Sequence, residues 1–180
     1  MEYDGFMWTG PESAAALETA MRFLAGGDAV IIDLRRNGGG SPEAVQYIIS
    51  HFLPAGRPLM SFYMNGSTDA ETTAALADLP AGRMLGKPLY VLISGGTASA
   101  AELFAGSLKA HGRAVIVGEA TCGKGSAQRV VNAPDGVSAL YATVARCALP
   151  GGEAIDGAGI RPDLESMVDL LPLWTAGVGG

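Results

Sequence analysis

The sequence predicts an α/β domain, largely parallel, with an antiparallel hairpin toward its carboxyl end. Two observations carry this. Up to about residue 117, short apolar runs alternate with segments whose apolar residues recur at helical spacing. From Ser126 onward two β-rich runs instead flank the turn Pro134-Asp135-Gly136.

Each element has its own signal. Thr9-Gly10-Pro11 offers a helix start, Leu17, Met21 and Leu24 share one face, and Gly26-Gly27 stops it. Ala29-Val30-Ile31-Ile32 is a continuous apolar run, as expected of a strand buried on both faces. Arg35 to Gly40 forms a loop. Ser41-Pro42 then opens a second helix with Val45, Ile48, Ile49 and Phe52 as its buried stripe. Leu59 to Met64 reads as a strand. Residues 65–86 carry the weakest pattern, with a short helix expected near Ala74 to Leu79. Pro88 to Ser94 is a buried strand, Gly95-Gly96 a turn, Ala100 to Ala110 a helix, and Ala114 to Val117 another buried strand. Gln128 to Val131 and Val137 to Cys147 form the strands around the late turn, and a last helix is expected from Leu164 to Leu171.

Bulk properties narrow the function. The 180 residues are 48% hydrophobic and 17% charged, enough to bury a core and far from the composition of disorder. A net charge of −6 without any basic run argues against nucleic acid or an anionic membrane as partner. The apolar runs are too short to span a bilayer, and Met1-Glu2-Tyr3-Asp4 does not begin an export signal. Cys122 and Cys147 permit a disulfide without requiring one. Two histidines and two cysteines without close spacing make a zinc site improbable.

Three loops carry candidate chemistry. Asn37-Gly38-Gly39-Gly40 follows a buried strand, and its glycines let the backbone approach a ligand, although a plain connection is the commoner use. Gly95-Gly96-Thr97-Ala98-Ser99 leads into a helix whose start suits a nucleophile, because free amides there stabilise negative charge. Ser99 and Glu102 also spell a capping box, the commoner task of such a serine, and Glu102 reads as a helix-start residue. Gly118 to Ser126 resembles a phosphate-binding loop until Gly125, which stands where a magnesium-binding hydroxyl belongs; a strand rather than a helix follows it. What remains is Lys124, pinned between glycines beside apolar strands. Desolvation there disfavours its charged form and makes a usable base. His51 and His111 fall at helix ends and make poor triad members.

These loops, in this order, resemble the catalytic core of the C-terminal processing (tail-specific) serine proteases. The matching stretches are Asp33 to Gly40, Thr97 to Glu102, Gly112-Arg113-Ala114, Gly118-Glu119 through Gly123-Lys124-Gly125, and Gly157-Ala158-Gly159-Ile160-Arg161-Pro162-Asp163. The resemblance implies a Clp protease/crotonase-like core of mostly parallel strands with a C-terminal antiparallel hairpin, as one catalytic domain over residues 1–180 without a PDZ domain. It implies Ser99 as nucleophile and Lys124, 25 residues on, as general base, with Gln128 holding the lysine. The oxyanion hole falls to the amide of Ala100 and one from the triple glycine, Gly40 in preference to Gly39. No metal or organic cofactor is implied. The substrate expected is a polypeptide with an unstructured carboxyl-terminal segment, met outside the cytoplasm. Lys109-Ala110-His111 departs from the family where some members place an acidic residue. The segment Ser41 to Leu53 is more similar to the interphotoreceptor retinoid-binding protein branch, some of whose members bind lipophilic ligands. A non-catalytic binding domain and a crotonase-like acyl-thioester enzyme are the rival readings.

Overall fold

In a computed structural model, which describes residues 1–165 except Thr9 and Asp135, the elements run α1 (Pro11–Ala25), β1 (Val30–Asp33), α2 (Pro42–Ser50), β2 (Pro58–Met64), β3 (Ala70–Ala74), β4 (Leu89–Ile93), α3 (Ala100–Ala110), β5 (Val115–Gly118), β6 (Ser126–Asn132) and β7 (Ala139–Ala148). The apolar runs pair in parallel as β1-β4-β5, with Ile32 opposite Val91 and Val91 opposite Ile116. Parallel neighbours need crossovers, and α2 and α3 lie within them. Val30, Ile32, Val91, Ile93 and Ile116 face the main core with the helical residues Met21, Ile49 and Phe104. Alternation turns Leu92 and Val117 to the opposite face, where Ile31, Tyr90, Val115 and Leu164 pack around them less completely.

The antiparallel part is larger than a hairpin. β6 and β7 pair over most of their length, and β2 and β3 extend them into a four-stranded sheet ordered β3-β2-β7-β6. This joins to the helical layer through Ser107, whose hydroxyl donates to the Leu59 carbonyl at 2.5 Å.

One expected element is absent. Ala74 to Leu79 does not form a helix: Ala74 ends β3, whose Thr72 and Thr73 pair with Ser61 and Met60 of β2. Strand pairing there, supported by the Ser61–Thr72 hydroxyl contact at 2.8 Å, overrides the helical composition of Ala74-Ala75-Leu76-Ala77. Arg83 then gathers the irregular stretch, donating to the carbonyls of Ser50, Leu53, Leu76 and Ala77. Leu164 makes a parallel bridge with Val117 instead of starting a helix, and residues 166–171 of the expected last helix lie outside the described residues.

Candidate active site

The tight connection from β4 to α3 sets Ser99. Thr97, wholly buried, fixes that connection by accepting from Ser94 N–H at 3.0 Å and donating to the Leu34 carbonyl at 2.8 Å. Ser99 emerges at φ 57° and ψ −121°, and is the one non-glycine residue at positive φ among the described residues. Such a conformation costs about 1–3 kcal/mol and persists only where its surroundings impose it. Its hydroxyl makes no well-formed capping bond. The capping box is nevertheless present in both directions: the Ser99 side chain faces Glu102 N–H, which also donates to the Ser99 carbonyl at 2.9 Å, and Ser99 N–H donates to Glu102 Oε2 at 2.8 Å.

The triple-glycine loop lies directly alongside. A Cβ on Gly39 would come within 2.8 Å of Ser99 Cβ, and one on Gly40 would meet the Phe6 carbonyl oxygen at 2.2 Å. Only glycine permits both approaches. The amino-terminal segment stitches this loop down: Phe6 N–H donates to the Gly39 carbonyl at 2.9 Å and Ser41 N–H to the Phe6 carbonyl at 2.7 Å. Gly39 N–H is donated to Asn37 Oδ1 at 2.9 Å. Gly40 N–H and Ala100 N–H have no acceptor among the described residues.

The lysine loop hangs on Glu102. This carboxylate is wholly buried in α3, where every residue from Ala100 to Leu108 is buried. It accepts from Thr121 Oγ1 at 2.5 Å, Gly123 N–H at 2.6 Å and Lys124 N–H at 2.8 Å, in addition to Ser99 N–H. The Gly157–Asp163 stretch buttresses the loop: Thr121 and Ile160 exchange hydrogen bonds, and Gly125 N–H reaches Asp156 Oδ1 at 3.0 Å. Half-buried Lys124 sends its Nζ to Gln128 Oε1 at 2.7 Å, and Gln128 Nε2 donates to Ser126 Oγ at 2.9 Å.

Ser99, Ala100, Gly40, Lys124 and Gln128 thus line one cavity of about 250 Å³. Gly39 lies behind it, with its amide engaged. Lys124 and Ser99 share the wall without a direct hydrogen bond; such contacts are often long before a substrate is bound. Cys147 also lines the cavity, and burial pushes its thiol up to about 11. Cys122 is exposed, and both cysteines are free thiols. His51 and His111 each cap a helix end away from the cavity, His51 with Nδ1 on the Tyr47 carbonyl at 2.9 Å. No cluster of three or more acidic, histidine or cysteine side chains able to hold a metal occurs among the described residues.

The sequence names Ser99, Ala100, Gly40, Lys124 and Gln128 among the lining residues but not Glu102 as the hub between the two loops. A signal was present: Glu102 sits in Ala100 to Leu108, a helical stretch apolar nearly all round, where a carboxylate must find donors. The Gly112-Arg113 match is a structural clamp, with Arg113 donating to the carbonyls of Phe52, Met84 and Lys87.

The model of peptidase family S41 matches residues 2–166. The chain is 38% identical over 162 residues to the chloroplastic carboxyl-terminal-processing peptidase 2 of Arabidopsis thaliana, covering 84% of this chain and 29% of that one. It is 34% identical over 170 residues to the chloroplastic C-terminal processing peptidase of Tetradesmus obliquus, covering 94% and 35%. The chain therefore spans about a third of the length of these relatives. The photosystem II D1 C-terminal processing protease superposes with a TM-score of 0.75 at 33% identity, over 98% of this chain and 44% of that one. A putative S41 protease from Bacteroides fragilis shares the fold, with a TM-score of 0.80 at 19% identity over 99% and 54%. With ordered loops, a matching family model and a shared Clp protease/crotonase-like core all in agreement, this chain belongs to peptidase family S41.

Proposed function

We propose that the chain hydrolyses peptide bonds through a Ser99–Lys124 dyad, acting on polypeptides with an unstructured carboxyl-terminal segment. The observation that carries this reading is the set of groups facing one cavity: a serine in a strained backbone conformation, a lysine held by Gln128, and the unbonded amides of Ala100 and Gly40.

In this reading Lys124 takes the hydroxyl proton as Ser99 Oγ bonds to the substrate carbonyl carbon. The carbonyl oxygen becomes an oxyanion, and the Ala100 and Gly40 amides donate to it. One such donor is worth about 2.7–4 kcal/mol of barrier. The C–N bond then breaks, and Lys124 returns the proton to the leaving amine. Water attacks the resulting ester with Lys124 again accepting a proton, and Ser99 regains its hydrogen as the acid departs. Gln128 fixes the direction of the amine throughout.

Support for the substrate class comes from relatives named for carboxyl-terminal processing, at 34–38% identity. The test is labelling by a serine-directed fluorophosphonate, with peptide mapping, alongside hydrolysis of an unstructured peptide. Label on Ser99 and loss of both signals in Ser99→Ala is the expected result. Hydrolysis that persists in Ser99→Ala ends the nucleophile assignment.

A further inference from the structure

A second cavity, of about 440 Å³, adjoins the first and shares Pro42, Phe62, Ala127 and Gln128 with it. Its floor is one face of the antiparallel sheet. Strand alternation puts Phe62 and Met64 of β2 on the same side, and pairing sets Ala145 beside Met64 and Ala127 beside Ala145. Its walls come from two other elements. The first turn of α2 contributes Pro42, Glu43 and Gln46, and β3 contributes Glu71, directly opposite Phe62.

The charge of this groove is unbalanced. Glu43 and Glu71 line it with one cation, Arg129, and neither carboxylate forms an ion pair among the described residues. Glu43 takes a hydrogen bond from Ser41 Oγ, and Glu71 is exposed. The apolar floor with two carboxylates at its rim matches a long side chain that is aliphatic along its stem and cationic at its tip. An apolar residue would leave the carboxylates unused, and an acidic one would be repelled. Adjacency to the Ser99 cavity points to the occupant: the four shared residues put the groove within reach of a side chain neighbouring the bond held at Ser99.

We propose that the groove is a specificity subsite for a lysine or arginine side chain of the substrate, a short distance along the chain from the bond that is cut. The inference rests on the peptidase reading for its occupant, but binding tests it separately. Exposed pairs of this kind are each worth at most about 1 kcal/mol, about fivefold in affinity. Glu43→Gln and Glu71→Gln should therefore each reduce the preference by about three- to fivefold, and added salt should reduce it in the wild type.

The experiment uses an otherwise matched family of unstructured fluorescent peptides, with lysine, norleucine or glutamate placed in turn at each position around the cleavage point. Binding to the Ser99→Ala protein is read by anisotropy, and kcat/KM is read on the active protein. At one position, the expected order is lysine over norleucine over glutamate, and the Glu43→Gln/Glu71→Gln double variant flattens it in both readouts. Flat binding at every position in the parent protein, or a lysine preference untouched by the double variant, overturns the subsite. Selective, carboxylate-dependent binding in a protein that cuts no peptide sustains the subsite while removing the peptidase reading.

Discussion

Ser99 and Lys124 hang from the same oxygen: Glu102 Oε2 accepts the main-chain N–H of each at 2.8 Å. The β4–α3 turn and the lysine loop are thereby registered to one rigid point inside α3. The other oxygen of Glu102 holds Thr121 and Gly123. Glu102→Ala would leave these donors in a buried space without an acceptor. We expect it to cost about 3–5 kcal/mol of stability, read by urea unfolding, with loss of peptidase activity even at temperatures where the variant remains folded. A variant as stable as the wild type would show that the loops do not depend on Glu102.

At Ser99, backbone strain and a poorly formed cap predict an unusual pair of results. Ser99→Ala loses no well-formed capping bond and should shift stability by less than about 0.5 kcal/mol, although it abolishes hydrolysis. Ser99→Gly should raise the stability, by roughly 1 kcal/mol, because glycine takes φ 57° without a Cβ penalty. Thermal melts of both variants decide this. Destabilisation of Ser99→Ala by 1–2 kcal/mol would restore the serine to a capping role.

Lys124 is distinguished by its replacement with arginine. If its amine accepts the Ser99 proton, Lys124→Arg is as inactive as Lys124→Ala, since guanidinium does not release a proton at workable pH. The readout is the hydrolysis rate of an unstructured peptide, compared with melting temperature on the same samples. Substantial turnover in the arginine variant would mean that the lysine supplies only charge.

The two thiols should separate by reactivity. Exposed Cys122 is expected to react promptly with a small alkylating reagent at pH 8. Cys147 is buried, and its thiol is pushed to about 11, so it carries little thiolate there and should lag far behind. Raising the pH toward 10 should accelerate Cys147 as its thiolate fraction grows. Rates are followed by mass spectrometry of the folded protein, and equal rates at pH 8 would contradict the burial.

Burial also holds the His51 imidazole below its ordinary value near 6.5. The unfolded chain then takes up a proton at a pH where the folded chain does not, so acid favours unfolding. Above about pH 6.5 this contribution is fully present. It is lost as the pH falls through the lower folded value, below which both states are protonated. Urea midpoints between pH 7 and pH 5 should fall in the wild type and fall less steeply in His51→Gln. Parallel slopes would exclude His51 as a source of the acid sensitivity.

Much of this molecule is legible in its amino-acid sequence. α3 runs over Ala100–Ala110 as its apolar pattern and glycine boundaries required, and the parallel strands follow from three apolar runs. Ser99, Lys124, Gln128, Gly40 and Ala100, the residues implied by the family resemblance, line one cavity. The β3 strand was illegible because its signal is pairing with β2, seven or more residues away, whereas Ala74-Ala75-Leu76-Ala77 has local helical preference. Glu102 does close the capping box that the sequence spells, but its further role is illegible for a related reason. A capping box depends only on residues three apart, but the donors that Glu102 satisfies come from a loop about twenty residues on. Local patterns find elements and motif residues; they do not reveal which distant amides a buried carboxylate will serve.

The stitching of Phe6 between Gly39 and Ser41 has a geometric consequence. The direction of the Gly40 amide is inherited from strand register, not from any side chain of the cavity. Tyr3 N–H on the Asp33 carbonyl at 3.0 Å, Asp33 N–H on the Met1 carbonyl at 2.8 Å and the buried Phe6 ring fix that register together. A slip of one residue would turn the Phe6 ring out of the core and bring a different carbonyl beneath Gly40, so the loop would have to re-aim its amide. Alignment at the cleft is thus copied from the first six residues of the chain, as a ruled edge passes its straightness to the line drawn along it.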